Sequence, residues 1–399
     1  MVSTVRLSTI RDDLLGRLPD TDLVVVPDGS ATIVGVHPSE VLIADGARAF
    51  DALEGLTQGW WAGFLAYDLG RCIERVPEIA PRSPFIPDLV LARFDARLRL
   101  EADGSVHVEG TGAARAELEA LADGPVKLLD PPRLGTWESS LDRICWDDAV
   151  RRILGHLRAG DCYQVNLTRR LMCDAPADPV ALHRSLARGN RASHEALVRL
   201  GEVAVVSASP ELFLRRDGRD IYTRPIKGTS RTAEALATSA KDRAENVMIV
   251  DLSRNDLGRV CEYGSVRAPE LLSIEHNPGH YNLVSTIAGT LRADVSVADL
   301  VRATFPPPSI TGCPKPRVLE IIETLEPVRR GVYCGAVGFI DADRDVIDLN
   351  VAIRTFTITD GRTYFGVGGG IVADSDPGAE WEETELKSRR LLSIASGED

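Results

Sequence analysis

Lysine is nearly absent from this chain. Of 46 basic residues in 399, only Lys127, Lys227, Lys241, Lys315 and Lys387 are lysine, and arginine serves as the general surface cation. Positive charge is short overall, with 46 basic against 59 acidic side chains and a net charge of −13, which disfavours a nucleic-acid backbone or an anionic membrane as the main partner. An anionic metabolite would have to be met by locally gathered cations or by a divalent metal. The seven cysteines form no C-x-x-C pair and have an odd total, so neither a disulfide framework nor a zinc site is expected. No apolar run approaches membrane-spanning length, and the first residues carry no basic-then-apolar leader. Both absences point to a soluble, cytoplasmic protein. Hydrophobic residues make up 44% of the chain, enough for a large core in one elaborate domain or a few simple ones.

Scarcity gives one lysine weight. Lys227 sits in Pro225-Ile226-Lys227-Gly228-Thr229. An amine can lose its proton and attack carbon, whereas a guanidinium stays protonated at any working pH. The plain alternative is a chance lysine in a proline–glycine turn.

Residues 1–121 read as a β-rich subdomain. Leu23 to Val26 runs into Pro27-Asp28-Gly29, Leu89 to Leu100 turns at Ala102-Asp103-Gly104 into Val106 to Val108, and 111–121 is a short alanine-rich helix. Residues 122–137, with glycine and several prolines, read as a linker, and 138–399 as the catalytic region, intertwined with the first part. Trp146, Val150, Ile153, Leu154 and Leu157 recur at helical spacing, with Gly160 as the stop. Cys162 to Leu171 alternates as a strand. Further strands are expected at 202–215, 219–224, 265–292, 333–341, 346–358 and 362–367, the last closed by Gly368, Gly369 and Gly370. Helices are expected at 239–256, Pro314 to Leu325, and from Asp376-Pro377 to the end, where an N-cap precedes a first-turn proline. This irregular mixture favours an α+β fold with large antiparallel sheets.

Several constellations could carry chemistry. On the last helix Glu380, Glu383 and Lys387 share one face, with Glu382 and Glu385 turned away. Asp242 and Glu245 are similarly spaced on the 239–256 helix. Carboxylates converging from both helices would suit Mg²⁺, although a solvated acidic helix with a Glu383–Lys387 pair fits the spacing too. Bare backbone N–H groups at Thr311-Gly312 and at Gly368 to Gly370 could hold carboxylate oxygens, or be plain turns. Neither matches a nucleotide-binding fingerprint. Glu211, in Ser209-Pro210-Glu211-Leu212, could be a general acid among apolar neighbours or one half of a salt bridge.

In order along the chain, Tyr163-Gln164-Val165-Asn166, Ser209-Pro210-Glu211, Pro225 to Thr229, Asp242 to Asn246, Arg254-Asn255-Asp256, Ser309 to Gly312 with Pro314 to Arg317, and the helix from Glu380 to Lys387 resemble the chorismate-utilising enzymes. The likeness spans roughly residues 145–395. Within that family the chain is most similar to the aminodeoxychorismate synthases. Anthranilate synthases usually carry alanine where Lys227 stands, and isochorismate and salicylate enzymes place a catalytic lysine where Gln164 stands. An amide at 164 cannot take a proton from water at neutral pH.

The resemblance implies two large antiparallel β-sheets packed as a sandwich with helices outside, and Mg²⁺ held by Glu245 and Glu383 with Glu380 close behind. It also implies that Glu211 protonates the departing 4-hydroxyl of chorismate while Lys227 adds to ring C2, after which ammonia attacks C4 and expels the lysine. Arg354 and Tyr333 would hold the enolpyruvyl carboxylate, with Thr311, Lys387 and the N–H groups of Gly368, Gly369 and Gly370 as weaker candidates. One departure is Asn282, which stands where the family often has histidine before Leu-Val-Ser and cannot shuttle a proton. No glutaminase segment is visible, so ammonia would come from a separate glutamine amidotransferase. No tryptophan-feedback motif is evident in the first 120 residues. The alternatives are an anthranilate synthase component I, against which Lys227 argues, and a catalytically silent chorismate-binding regulatory subunit.

Overall fold

In the computed structural model, residues 4–277 and 280–398 are described, and among them the strands form an eleven-stranded and a ten-stranded sheet in which every named pairing is antiparallel. Valine-rich strands explain why the sheets stack. In Leu23–Asp28, Val24 and Val26 face the second sheet, packing with Trp60, Phe64 and Phe339, whereas Leu23 and Val25 face outward against helices. A strand covered on both faces needs a continuous apolar run, and Val203–Ser209 is likewise buried throughout. The helices Gly112–Ala122, Pro179–Gly189 and Pro377–Ala395 cover the outside of the first sheet. Ala47–Glu54, Ala240–Gly258 and Val297–Thr304 cover the second. The expected α+β sandwich with outer helices is the observed architecture.

Residues 123–137 have no regular structure, and Ala122 ends the preceding helix. The segment is nonetheless pinned down, with Lys127 N–H donating to Gly16 O at 2.7 Å and Leu134 N–H to Ala395 O at 3.0 Å. The residues on its two sides share both sheets, since Leu23–Asp28 pairs with His194–Leu200 and Trp60–Leu65 pairs with Ala336–Asp341.

Three expected strands are each cut in two, among them 202–215, which divides into Val203–Ser209 of the first sheet and Leu212–Asp217 of the second. Leu89–Phe94 lies in the second sheet, and after Asp95 the chain enters the first as Ala96–Leu100. Likewise Val346–Val351 belongs to the second sheet and Thr355–Thr359 to the first. Phe94, Ala96, Leu98 and Leu100 keep one alternation across the Asp95 break, whereas in 346–358 the apolar positions move from Ile347, Leu349, Val351 and Ile353 to Phe356 and Ile358, a shift of one residue that accompanies the change of sheet. Among the described residues five helices escaped the pattern reading: Thr4–Leu15, Ala47–Glu54, Pro179–Gly189, Ala233–Thr238 and Val297–Thr304.

Candidate active site

The candidate residues gather where the chain passes from one sheet to the other. Val203–Ser209 of the first sheet leads through Pro210 and Glu211 into Leu212–Asp217 of the second. Next to it, Val346–Val351 passes back through Arg354 into Thr355–Thr359. The two crossings are laced together: Val351 N–H donates to Glu211 O at 3.0 Å, Ser209 Oγ–H to Val351 O at 2.6 Å, and Ala208 N–H to Arg354 O at 3.1 Å. Arg354 therefore sits in a bend with φ of 52°, and Tyr333 in the turn before Ala336–Asp341; the expectation that both lie on strands is corrected. The cause is the change of sheet, which interrupts the ladder on both sides.

Lys227 lies on Ile226–Ser230 at the edge of the second sheet. There the register with His280–Thr290 slips by one residue between Ile226 and Thr229, and Gly228 adopts φ of 86°. Such a bulge inserts a residue and re-aims a side chain. A β-carbon on Gly228 would lie 2.9 Å from Asp242 Cβ, so glycine is required on space as well as on φ. The Lys227 amine donates to Ser309 O at 3.1 Å. Burial pushes its pKa down and Lys387 adds to this, while Glu245, Glu211 and Glu383 oppose. Glu211 is buried, and burial pushes its carboxyl up to about 7 against the pull of Ser309, Lys227, the Ile226 backbone and Arg354. The Ser309 hydroxyl has no hydrogen-bond partner of good geometry, so its influence on Glu211 is one of proximity rather than an aligned bond. Burial also lowers the Arg354 guanidinium, which Glu211 opposes.

Gly368, Gly369 and Gly370 lie inside the strand Arg362–Ile371 rather than after it, a second correction. The pairing with Gln164–Cys173 runs through to Ile371, but the other neighbour, Thr355–Thr359, stops pairing at Phe365. Beyond that point the strand has a strand partner on one edge only, and on the other Gly368 O accepts from Lys387 Nζ at 3.1 Å. The glycines are there because their β-carbon positions are taken. A β-carbon on Gly366 would fall 2.1 Å from the Tyr333 ring, and one on Gly370 would fall 3.1 Å from the Gln164 side-chain amide. Gln164 is wholly buried, and neither atom of its amide has a partner. A buried amide left unpaired faces a place where something polar binds.

On the far side of that strand, a β-carbon on Gly369 would meet Glu380 Oε2 at 3.4 Å, Lys387 Nζ at 3.8 Å and Glu383 Oε1 at 3.9 Å. Lys387 bonds Glu383 at 2.6 Å and Gly368 O at 3.1 Å. Glu382 and Glu385 point away, to Arg143 and Arg169. Burial raises Glu245, helped by Asp242 and Glu383 and resisted by Lys227 and Lys241. It raises Glu380 too, against a 2.6 Å bond from Ser375. Glu383 is pushed up by burial, yet Lys387, Lys241 and Lys227 together hold it below the usual carboxylate range. Among the described residues no three histidine, cysteine or acidic groups stand close enough to form a ready metal shell. The donors are nonetheless the hard oxygens Mg²⁺ takes: Glu380 and Glu383 border the space beside Gly369, and Glu245 of the other helix stands 3.9 Å from the Lys241 ammonium that is also 3.9 Å from Glu380.

Thr311 is buried at the start of the Lys315–Leu325 helix region, its hydroxyl donating to Pro307 O at 3.2 Å. Asn282 is buried opposite Thr229, whose hydroxyl donates to Asn282 Oδ1 at 3.0 Å. Two contributors escaped the sequence reading. The Ser309 carbonyl carried no signal. Lys241 did: it is one of five lysines, and its ammonium stands 3.9 Å from both Glu245 and Glu380.

The chain is similar to aminodeoxychorismate synthase component 1 of Escherichia coli (strain K12), with 41% identity over 351 residues covering 84% of this chain and 76% of that protein. It is also similar to anthranilate synthase component 1 of Thermus thermophilus, 39% identical over 360 residues that cover 84% and 77% of the two chains. Among solved structures, the anthranilate synthase component I of Streptococcus pneumoniae TIGR4 superposes with a TM-score of 0.81 at 25% identity, covering 92% of each chain. With a match to the chorismate binding enzyme family over residues 28–393, the chain belongs to that family.

Proposed function

We propose that the protein is the synthase component of an aminodeoxychorismate synthase, converting chorismate and ammonia to 4-amino-4-deoxychorismate. The observation that carries the reading is Lys227, an amine that a bulge directs into the site and that burial makes easier to deprotonate, beside a carboxyl that keeps its proton to about pH 7. That pair suits a covalent displacement. The Lys227 lone pair adds to ring C2, both ring double bonds shift by one position toward C4, and the 4-hydroxyl leaves as water with the Glu211 proton. Ammonia then adds to C4, both double bonds shift back, and the Lys227–C2 bond breaks with its electrons returning to nitrogen. The enolpyruvyl group is kept throughout.

Arg354 is suited to hold a carboxylate of the substrate through two parallel N–H bonds, with Tyr333 beside it. Gln164 and the backbone N–H groups of Gly368 to Gly370 would take the remaining polar atoms, and Thr311, Asn282 and Lys387 would line the same space. Glu245, Glu383 and Glu380 would hold Mg²⁺. When bound, the ion would accept the ring carboxylate of chorismate and cancel carboxylate charge that otherwise favours the protonated form of Lys227. Ammonia would be delivered by a separate glutamine amidotransferase subunit, the partner that the relatives' designation as component 1 suggests. The setting we assign is the cytoplasm, in keeping with seven unpaired cysteines and with the lack, among the described residues, of a helix long and apolar enough to cross a membrane.

The test is mass-resolved product analysis of the purified chain with chorismate, Mg²⁺ and an alkaline ammonium salt, alongside Lys227→Ala. Aminodeoxychorismate without released pyruvate, lost in the variant, is the expected outcome. Anthranilate plus pyruvate would transfer the protein to the other branch of the family, and no turnover at all would favour a silent regulatory subunit.

A further inference from the structure

Lys241 lies in the first turn of the helix Ala240–Gly258, its side chain 55% exposed, yet its ammonium is turned toward the site. Nζ stands 3.9 Å from Glu245 Oε1 on its own helix and 3.9 Å from Glu380 Oε1 on the terminal helix. At that separation neither contact is a hydrogen bond, so charge rather than directed bonding places it there. Its surroundings account for the pull. Glu245 feels the charges of Asp242 and Glu383, Glu380 feels that of Glu383, and the cations acting on these carboxylates are Lys227, Lys387 and Lys241 itself. Lys387 is tied by short bonds to Glu383 and Gly368, and Lys227 is tied to Ser309. Lys241 alone among these three has neither a short bond nor deep burial to hold it in place.

We propose that Lys241 is a built-in counter-cation, which draws the carboxylates of the two helices together before the divalent ion arrives and is displaced when it binds. This rests on the Mg²⁺ reading above. An ammonium offers one charge and no coordination, whereas a divalent ion takes the same oxygens as direct ligands, so the exchange runs in favour of the metal. Half-exposed ion pairs are weak, and the side chain swings into water at little cost. Lys241 therefore sets how much free cation the site needs.

Mn²⁺ titration of the purified full chain, followed by electron paramagnetic resonance with Mg²⁺ as competitor, tests this on wild type, Lys241→Ala, Lys241→Arg and Glu383→Gln. The expectation for Lys241→Ala is Mn²⁺ binding roughly three- to tenfold tighter, the equivalent of losing two weak competing ion pairs. Lys241→Arg should stay near wild type, because the charge remains. Without metal, Lys241→Ala should melt below wild type, and Mg²⁺ should raise its melting temperature by more than it raises that of wild type. Unchanged or weaker Mn²⁺ binding in Lys241→Ala, or equally tightened binding in Lys241→Arg, would overturn the proposal while leaving the metal site standing. Failure of wild type itself to bind Mn²⁺ would remove the metal site, and this proposal with it.

Discussion

Burial acts in opposite directions on the two reacting side chains. It leads Glu211 to keep its proton to about pH 7 and Lys227 to release its own more readily. The linkage follows from the sign of the first shift. With a folded-state pKa above the unfolded one, the native protein binds the Glu211 proton more tightly, so the associated stability is present at low pH and lost as pH rises from the ordinary carboxylate range through about 7. Chemical denaturation at pH 5 and pH 8 should show a loss of about 2–3 kcal/mol from this group, which Glu211→Gln removes. The same substitution should lower kcat by about 10²–10⁴-fold, as expected for loss of a general acid, and should abolish the fall of kcat/KM above about pH 7. A flat wild-type profile across that range would count against Glu211 as the proton donor. Residue chemistry was the most legible level of the sequence. Lys227 stood out because lysine is rare, and Glu211 because it lay in a motif. Lys241 was equally rare but passed unnoticed, since its importance depends on Glu380, 139 positions away in sequence.

Among the elements, the turns carry the site and the regular structure holds the turns. Arg330 is the clearest case. Its buried guanidinium pairs with Glu326 at 2.7 Å and also donates to Ile310 O at 2.9 Å and Asn166 O at 2.6 Å. One side chain thus ties the Pro308–Ile310 turn, the Gln164–Cys173 strand and the turn that bears Tyr333. Arg330→Lys cannot span all three, and leaving Glu326 and two carbonyls short of donors should cost about 2–4 kcal/mol in urea unfolding. A loss under 1 kcal/mol would mean the turns are held by other contacts. Helix ends and strand alternation were readable, as Asp376-Pro377 and Gly160 illustrate. The crossing at Asp95 was not, because Phe94, Ala96, Leu98 and Leu100 keep one alternation across it, and at Arg354 a one-residue phase shift between Ile353 and Phe356 was the mark left in the sequence. Glycines 368 to 370 looked like a turn for a related reason: their absent side chains answer to Gln164, Leu167 and Glu380, whose proximity is a property of the fold.

At the scale of the molecule, the β-rich first part and the catalytic region are joined strand by strand. Residues 138–399 expressed alone would leave His194–Leu200 and Ala336–Asp341 each with one of its two neighbouring strands missing and would uncover the apolar faces that Val24, Val26, Trp60 and Phe64 now fill. That fragment should be insoluble, or bind a hydrophobic dye strongly and melt without cooperativity. A soluble, cooperatively folding fragment would show that the first part is dispensable. The interleaving also sets an order in time. Leu23 pairs with Arg199 and Leu65 with Ala336, so the earliest strands leave the ribosome long before their partners exist. At ~5–20 residues per second the first of these waits on the order of ten to thirty seconds, and the second longer. Through that interval the nascent chain presents open, valine-rich edges, which makes the half-made polypeptide, rather than the finished enzyme, the form most in need of chaperones.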